Sequence, residues 1–246
     1  MILRTLWIFV QVMAATMRIT IPTVYETQRG KYRREAADAR LAWWSAKVLG
    51  ITKVSHTIFN PFQVELKPGK PYVIMSNHGS FYDIPLVYTG FLGSIRMLAK
   101  KELFRIPFLG SGMGASEFIS VDRHNRQQAL LDLENARQKM VSGITIWLAP
   151  EGTRSRSGKL QPFKKGGFKL ALQMGATIIP MGIRGTREIM PPDSWSIHPG
   201  KHVEIHIGEP IDTTPYAPAV RDELMEKVAQ QIQKLANLER QKKHSK

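Results

Sequence analysis

The chain contains no cysteine, which excludes disulfide scaffolds, cysteine-ligated zinc, iron–sulfur clusters and thiol nucleophiles together. No G-x-S-x-G elbow occurs, so an α/β-hydrolase nucleophile is missing. A Walker loop is also lacking, because Gly158-Lys159 is followed by Leu160 where a magnesium-binding serine or threonine belongs. Gly110-Ser111-Gly112-Met113-Gly114 lacks the full dinucleotide spacing and reads as a turn. His202 and His206 share one face of an expected strand but sit about 13 Å apart along it, too far to hold one ion, so no metal site is expected. There is no internal repeat. The apolar run Thr5–Met17, bracketed by Arg4 and Arg18, is shorter than the roughly 20 residues a spanning helix needs, which argues against a simple transmembrane anchor.

What is present is positive charge. The 246 residues carry 35 Lys+Arg against 20 Asp+Glu, a formal net charge of +15 with a pI near 10.1. With 43% hydrophobic residues the chain can bury a real core, so the basic excess decorates a folded protein. Three partner classes suit it: nucleic acid, an anionic membrane surface, or a phosphorylated substrate.

The amino-terminal segment favours the membrane. Pro22 to Gly30 reads as a turn, and Lys31 to Gly50 has helical spacing, with Ala37, Leu41, Trp44, Val48 and Ile51 recurring at three- and four-residue steps. Arg33, Arg40 and Lys47 form a row beside that stripe, so their long stems can lie on apolar surface while their heads reach phosphate groups. Trp43 and Trp44 fit the same boundary. A helix packed on the protein core gives the same pattern. A secretory signal would share the basic start and apolar centre, but no small-x-small cleavage site follows Ala14-Ala15. Two helices joined by a turn, dipping into one leaflet, are therefore expected over residues 1–58, followed by an α/β domain over 59–246.

In that domain, expected strands at Gln63–Leu66, Tyr72–Ser76, Ile95–Ala99, Glu117–Val121, Ile144–Ala149, Thr177–Ile183 and His202–Ile207 alternate with expected helices. The helices lie near Phe81–Phe91, Arg126–Val141, Gly166–Met174 and Ala219–Gln241. This is the pattern of a central, mostly parallel or mixed sheet flanked by helices. The basic end, Arg240 to Lys246, reads as a solvated tail.

Two segments at expected strand ends carry chemistry. In Asn77-His78-Gly79-Ser80-Phe81-Tyr82-Asp83, His78 and Asp83 would be about 140° apart on a continuous helix and can meet only across a bend at Gly79. Meeting there, the carboxylate fixes the imidazole tautomer and stabilises the imidazolium, the logic of a hydrolytic triad without its serine. The nucleophile is then a hydroxyl of the substrate. Ser80-x-x-Asp83 also fits a helix cap, and Asn77 can tie off a strand end. The second segment, Ala149-Pro150-Glu151-Gly152-Thr153-Arg154-Ser155, turns at Pro150 and Gly152 and offers Glu151, Thr153 and Arg154 to one side of the sheet. Arg154 can grip a phosphate with a bidentate fork.

Asn-His-x4-Asp followed by Pro-Glu-Gly-Thr-Arg resembles the lysophosphatidic acid acyltransferase family, that is, the 1-acylglycerol-3-phosphate acyltransferases. The likeness runs from Tyr72 to Ile183: Phe118-Ile119-Ser120-Val121-Asp122-Arg123 and Ile179-Pro180-Met181-Gly182-Ile183 resemble further blocks, and Ala99 to Leu103 resembles a stretch with a lysine near the phosphate. Two positions depart from the pattern, Ala149 before Pro150 and Gly79 where many members carry glutamine.

The resemblance implies acyl transfer from an acyl-CoA or acyl-carrier-protein thioester to the sn-2 hydroxyl of a lysophospholipid, with no metal or cofactor. His78 and Asp83 would be the catalytic pair, and Asn77, Lys100, Arg123, Glu151, Gly152, Thr153 and Arg154 would lie at the substrates. It further implies a monotopic or peripheral protein on the cytoplasmic face of the inner membrane. An anionic leaflet, a phosphorylated acceptor and an acidic donor would all be drawn to a basic face. A nucleic-acid partner is not expected, since no binding motif or aromatic-lined groove occurs. Related acceptors such as glycerol-3-phosphate or a lyso-ornithine lipid, and a non-enzymatic lipid-binding role, are the alternatives.

Overall fold

The run Tyr72–Ser76 holds no charged residue and forms strand β2, buried along its whole length in an eight-stranded sheet. The structure is a computed structural model that describes residues 2–122, 124–217, 219 and 221–239. β5 (Thr145–Leu148) and β6 (Thr177–Arg184) flank β2 in parallel, with Ile74 opposite both Trp147 and Ile179. Beyond β5 the parallel part continues through β3 (Ile95–Lys100) and β4 (Ile119–Val121). On the other flank β7 (His202–Ile207) runs antiparallel to β6, and β1 (Ser55–Phe59) lies parallel to β7 at the edge. The short β8 (Ile211–Asp212) pairs with the start of β6. A mixed sheet flanked by helices results, as the alternation of elements predicts.

Alternate side chains separate two cores. Ile74, Trp147, Ile179 and Met181 pack in one, together with residues of α1 (Ile2–Gln28), α2 (Arg34–Ile51) and α3 (Asp83–Gly90). Val73, Met75, Ile146 and Ile178 pack in the other with α5 (Arg126–Val141), α6 (Gly166–Met174) and α8 (Arg221–Ala236). Fully buried side chains of this kind each contribute roughly 1.5–3 kcal/mol.

The amino-terminal segment departs from expectation. No turn forms at Pro22; α1 runs on to Gln28 and is long and apolar enough to cross a membrane by length and composition. Proline removes one helical hydrogen bond, but the helix is clamped on both sides of it. Thr20 is pressed against Gly112, where a Cβ would lie 2.4 Å from the threonine Oγ1, and Thr23 accepts a hydrogen bond from Arg40 Nη1 at 3.2 Å. Arg40 also donates to Glu26 at 2.8 Å, so its charge closes the helical hairpin and is not free for a headgroup. Ile2, Leu3, Leu6, Trp7, Val10 and Met13 of α1 are exposed.

The glycines at 110–114 do not form a mere turn. They lie in a short helix, α4 (Leu109–Ala115), whose bare backbone permits the close approach to α1. Gln63–Leu66 is not a strand: the Asn60 amide donates to the Val64 carbonyl at 3.1 Å and accepts from its N–H at 2.9 Å, taking the place of a neighbouring strand. β1 was not foreseen, and the expected domain boundary at 58/59 falls inside it. The basic tail at 240–246 lies outside the described residues.

Candidate active site

β2, β5 and β6 are parallel, so their carboxyl ends lie together at one edge of the sheet, the usual place for a ligand crevice in α/β folds. β2 stops at Ser76, and residues 77–82 turn the chain into α3, which begins at Asp83. That bend brings the Asp83 carboxylate back over the turn. Its Oδ2 lies 2.7 Å from His78 Nδ1 and also accepts the Gly79 and Ser80 N–H groups at 2.8 and 3.0 Å. The cap and the imidazole partner anticipated from sequence are thus a single oxygen atom. Asp83 is fully buried, while His78 keeps part of its ring exposed and stands edge-on to Trp147 with centroids 6.4 Å apart. Trp147 is itself held by a 3.0 Å hydrogen bond to Ser76 Oγ.

The loop after β5 grips the main chain of His78 from both sides. Glu151 Oε1 accepts the His78 N–H at 2.9 Å, and the His78 carbonyl accepts the Ser155 N–H at 2.8 Å. The second Glu151 oxygen accepts Gln161 N–H at 2.9 Å. Glu151 was expected to face the substrate. It is 2% exposed, and both its oxygens serve the scaffold. Burial pushes its carboxyl up to about 7 against the pull of those two N–H donors.

Asn77 is likewise tied to the scaffold, although both it and Glu151 line the cavity at His78: its amide donates to the Ile183 carbonyl and accepts the Ile183 N–H, both at 2.8 Å. It extends the β2–β6 pairing by one rung and keeps one amide hydrogen unused.

Arg154 stacks over Phe81 with its guanidinium carbon 4.0 Å from the ring centroid, and its buried Nη1 has no hydrogen-bond partner. Burial lowers its affinity for a proton, partly offset by Asp193 and Asp83. A half-buried cation with an unused donor beside the His78–Asp83 pair is suited to an anionic ligand. Gly152 has a left-handed φ of +77°, which lets the loop turn, and Thr153 is exposed. Lys100 is exposed at the end of β3, separated from β2 by β5. Arg123 lies outside the described residues.

A cavity of about 300 Å³ opens on His78 and Gly79 and is also lined by Arg184, Arg187 and Asn237. Three serines beside His78 in sequence or bonded to its main chain are all engaged. Ser76 accepts from Trp147, Ser80 Oγ donates to the Met190 carbonyl at 2.8 Å, and Ser155 Oγ donates to the Lys159 carbonyl at 2.7 Å. The role of Ser155 and the presence of Arg187 carry no signal in the sequence, because Ser155 holds His78 through its main-chain N–H and Arg187 is anchored on main-chain carbonyls. Among the described residues no cluster of three or more His, Asp or Glu side chains is placed to hold a metal ion.

Residues 55–184 match the family model described as Acyltransferase. A chloroplastic 1-acyl-sn-glycerol-3-phosphate acyltransferase of Brassica napus is 33% identical over 163 residues, 66% of this chain and 46% of that one. The enzyme of the same name from Saccharomyces cerevisiae is 34% identical over 166 residues, 66% of this chain and 54% of its own. The chain thus spans about half the length of these curated relatives. In fold it is similar to the crystal structure of the 1-acyl-sn-glycerophosphate acyltransferase PlsC from Thermotoga maritima, with a TM-score of 0.77 at 22% identity over 95% of each chain. Since the family match takes in more than half of the sequence and includes both strand-end motifs, the chain belongs to the Acyltransferase family.

Proposed function

We propose that the protein transfers a fatty acyl group from the thioester of coenzyme A or an acyl carrier protein to the free sn-2 hydroxyl of 1-acylglycerol-3-phosphate. The observation that carries this reading is the 2.7 Å contact between His78 Nδ1 and Asp83 on the wall of a cavity whose nearby serines are already bonded. With Nδ1 engaged, Nε2 is left for a substrate proton. His78 takes that proton as the lipid oxygen attacks the thioester carbonyl, and Asp83 stabilises the imidazolium formed. As the tetrahedral centre collapses, the carbon–sulfur bond breaks and the thiolate leaves, receiving the proton. Neither acyl-enzyme nor metal is needed.

Arg154 supplies an unused N–H to the acceptor's phosphate, with Arg123, Lys100 and Thr153 as further contacts. Glu151, Gly152 and Asn77 shape the site through the backbone. The exposed apolar side chains of α1 lie in the leaflet that holds the lysolipid, and the overall positive charge favours an anionic surface on the cytoplasmic side.

The test is a turnover assay of full-length protein with acyl-CoA and acyl-carrier-protein donors. The acceptors are 1-acylglycerol-3-phosphate, glycerol-3-phosphate and a lyso-ornithine lipid. Transfer to the first acceptor, abolished by His78→Ala in a protein that still folds, is the expected result. Wild-type protein that acylates none of the three, or a His78→Ala variant that turns over at near the normal rate, removes the proposal.

A further inference from the structure

Arg187 stands on the wall of the cavity that opens at His78, and neither motif accounts for it. It belongs to the short helix α7 (Thr186–Ile189), which follows β6. Its stem lies directly over Gly79: a Cβ added there would meet Arg187 Cγ at 3.0 Å. Its guanidinium donates through Nη1 to the Ser155 carbonyl and through Nη2 to the Arg156 carbonyl at 3.0 Å. Two of five N–H groups are thereby used, and the fork is held in place before any ligand arrives.

The neighbouring charges on this wall are already balanced. Arg184 faces Glu204 at 3.3 Å and donates to the Leu235 carbonyl, Arg156 pairs with Asp193 at 3.1 Å, and Glu188 pairs with Lys201 at 3.4 Å. Both Glu151 oxygens are taken by backbone N–H groups. Arg187 has no carboxylate within ion-pair distance among the described residues, so its charge is countered only by carbonyl dipoles.

Resting on the acyl-transfer reading above, we infer that Arg187 is a second phosphate-binding arginine and that Gly79 lacks a side chain so that Arg187 can lie there. The residue therefore selects acceptors bearing a phosphomonoester. Position identifies the ligand. The Ser155 carbonyl that receives Arg187 belongs to the residue whose N–H donates to His78, so the guanidinium is one residue away from a direct main-chain bond to His78. A phosphate held in the same cavity of about 300 Å³ as His78 fits a short tether to the reacting hydroxyl, as in glycerol phosphate, where the two are on adjacent carbons. The phosphates of a coenzyme A or carrier-protein donor lie at the far end of the pantetheine arm. Charge identifies the class: a monoester approaches two negative charges at neutral pH and is attracted to the carboxylate-free Arg187 more strongly than a diester, which carries one.

The experiment compares wild type, Arg187→Met and Arg187→Lys as full-length protein in detergent. It measures KM and kcat for 1-acylglycerol-3-phosphate, for a lysophosphatidylglycerol with the same acyl chain, and for the acyl-CoA donor. Calorimetry with glycerol-3-phosphate accompanies the kinetics. Arg187→Met should raise KM for the monoester at least about tenfold. The diester should be affected far less and the donor not at all, and Arg187→Lys should recover part of the loss. An unchanged monoester KM, equal losses for monoester and diester, or a rise confined to the donor overturns the assignment. Should wild type acylate no lysolipid, the transfer reading fails separately and calorimetry decides this one. Glycerol-3-phosphate binding about tenfold weaker in Arg187→Met upholds the phosphate site, while equal binding, or none by wild type, sinks it.

Discussion

Replacing Asp83 by asparagine separates chemistry from architecture at this site. Oδ2 of Asp83 faces His78 Nδ1 and the N–H groups of Gly79 and Ser80, while Oδ1 is buried without a partner. The carbonyl oxygen of asparagine can occupy the Oδ2 position and accept the same three hydrogens. Its NH2 then replaces Oδ1 and buries unmatched donors, at about 1–3 kcal/mol of stability. What disappears is the full negative charge beside the imidazolium. At an effective dielectric of about 20, a charge pair about 4 Å apart is worth about 4 kcal/mol, and the remaining amide dipole offsets part of that. A barrier raised by roughly 3–4 kcal/mol slows turnover by about a hundredfold to a thousandfold. Because the chain has no cysteine, thiol release from the donor can be followed with a thiol reagent without background from the protein. Thermal unfolding of the same samples reports the structural cost. Asp83→Ala, which leaves all three donors unmatched, should lose more stability than Asp83→Asn. A folded Asp83→Asn protein that keeps a third or more of wild-type kcat refutes the reasoning.

Glu151 makes a pH prediction of unusual sign. With its carboxyl raised from the ordinary 4.5 to about 7, the native state binds a proton that the unfolded state releases earlier. Stability from this group is therefore complete below about pH 4.5 and declines as pH rises through 7, by up to about 3 kcal/mol. Urea unfolding midpoints of wild type and Glu151→Gln should diverge over that interval, and parallel pH profiles would contradict the burial argument. At the membrane, Leu3→Asp with Leu6→Asp and Val10→Asp should abolish cosedimentation with anionic vesicles while detergent-supported kcat stays near wild type. Undiminished cosedimentation would dismiss α1 as the contact.

The parts legible in sequence are those where side chains carry the signal. β2 and β7 fall where their β-branched runs place them, and α5 begins where Asn125 caps it, accepting the Gln127 and Gln128 N–H groups at 3.0 and 3.1 Å. His78 and Asp83 are recognisable because their chemistry needs both groups. β1 escaped notice because all five of its residues are exposed at the sheet edge, so no alternation of burial marks it. Pro22 reads as a break in sequence because the partners that hold α1 on either side of it, Arg40 of α2 and Gly112 of α4, come from other elements. Glu151 and Asn77 looked like ligands because a polar side chain at a strand end says nothing of which backbone groups it will meet. Arg187 was invisible for the converse reason: its two anchors are carbonyls.

One consequence of the charge distribution joins the amino-terminal helices to the chemistry. Arg96 on β3 is fully buried and pairs with Asp38 of α2 at 2.6 Å, while Arg34 of α2 meets Glu117 at 2.7 Å and Lys139 meets the same carboxylate at 3.0 Å. Burial pushes Glu117 up, but the hydrogen bonds from Arg34 and Lys139 outweigh it and bring the carboxyl down to about 2. Such pairs add little net stability over an apolar contact, yet breaking one strands a charge at about 3–5 kcal/mol. They therefore select one arrangement more than they strengthen it. α2 cannot swing away from the sheet without exposing or orphaning Arg96, and α1 is tied to α2 by Arg40 and Glu26. The exposed apolar face of α1 is accordingly held at a fixed distance and angle from His78. In the proposed reaction, that fixed relation sets the depth at which a lysolipid anchored in the leaflet presents its hydroxyl to the ring.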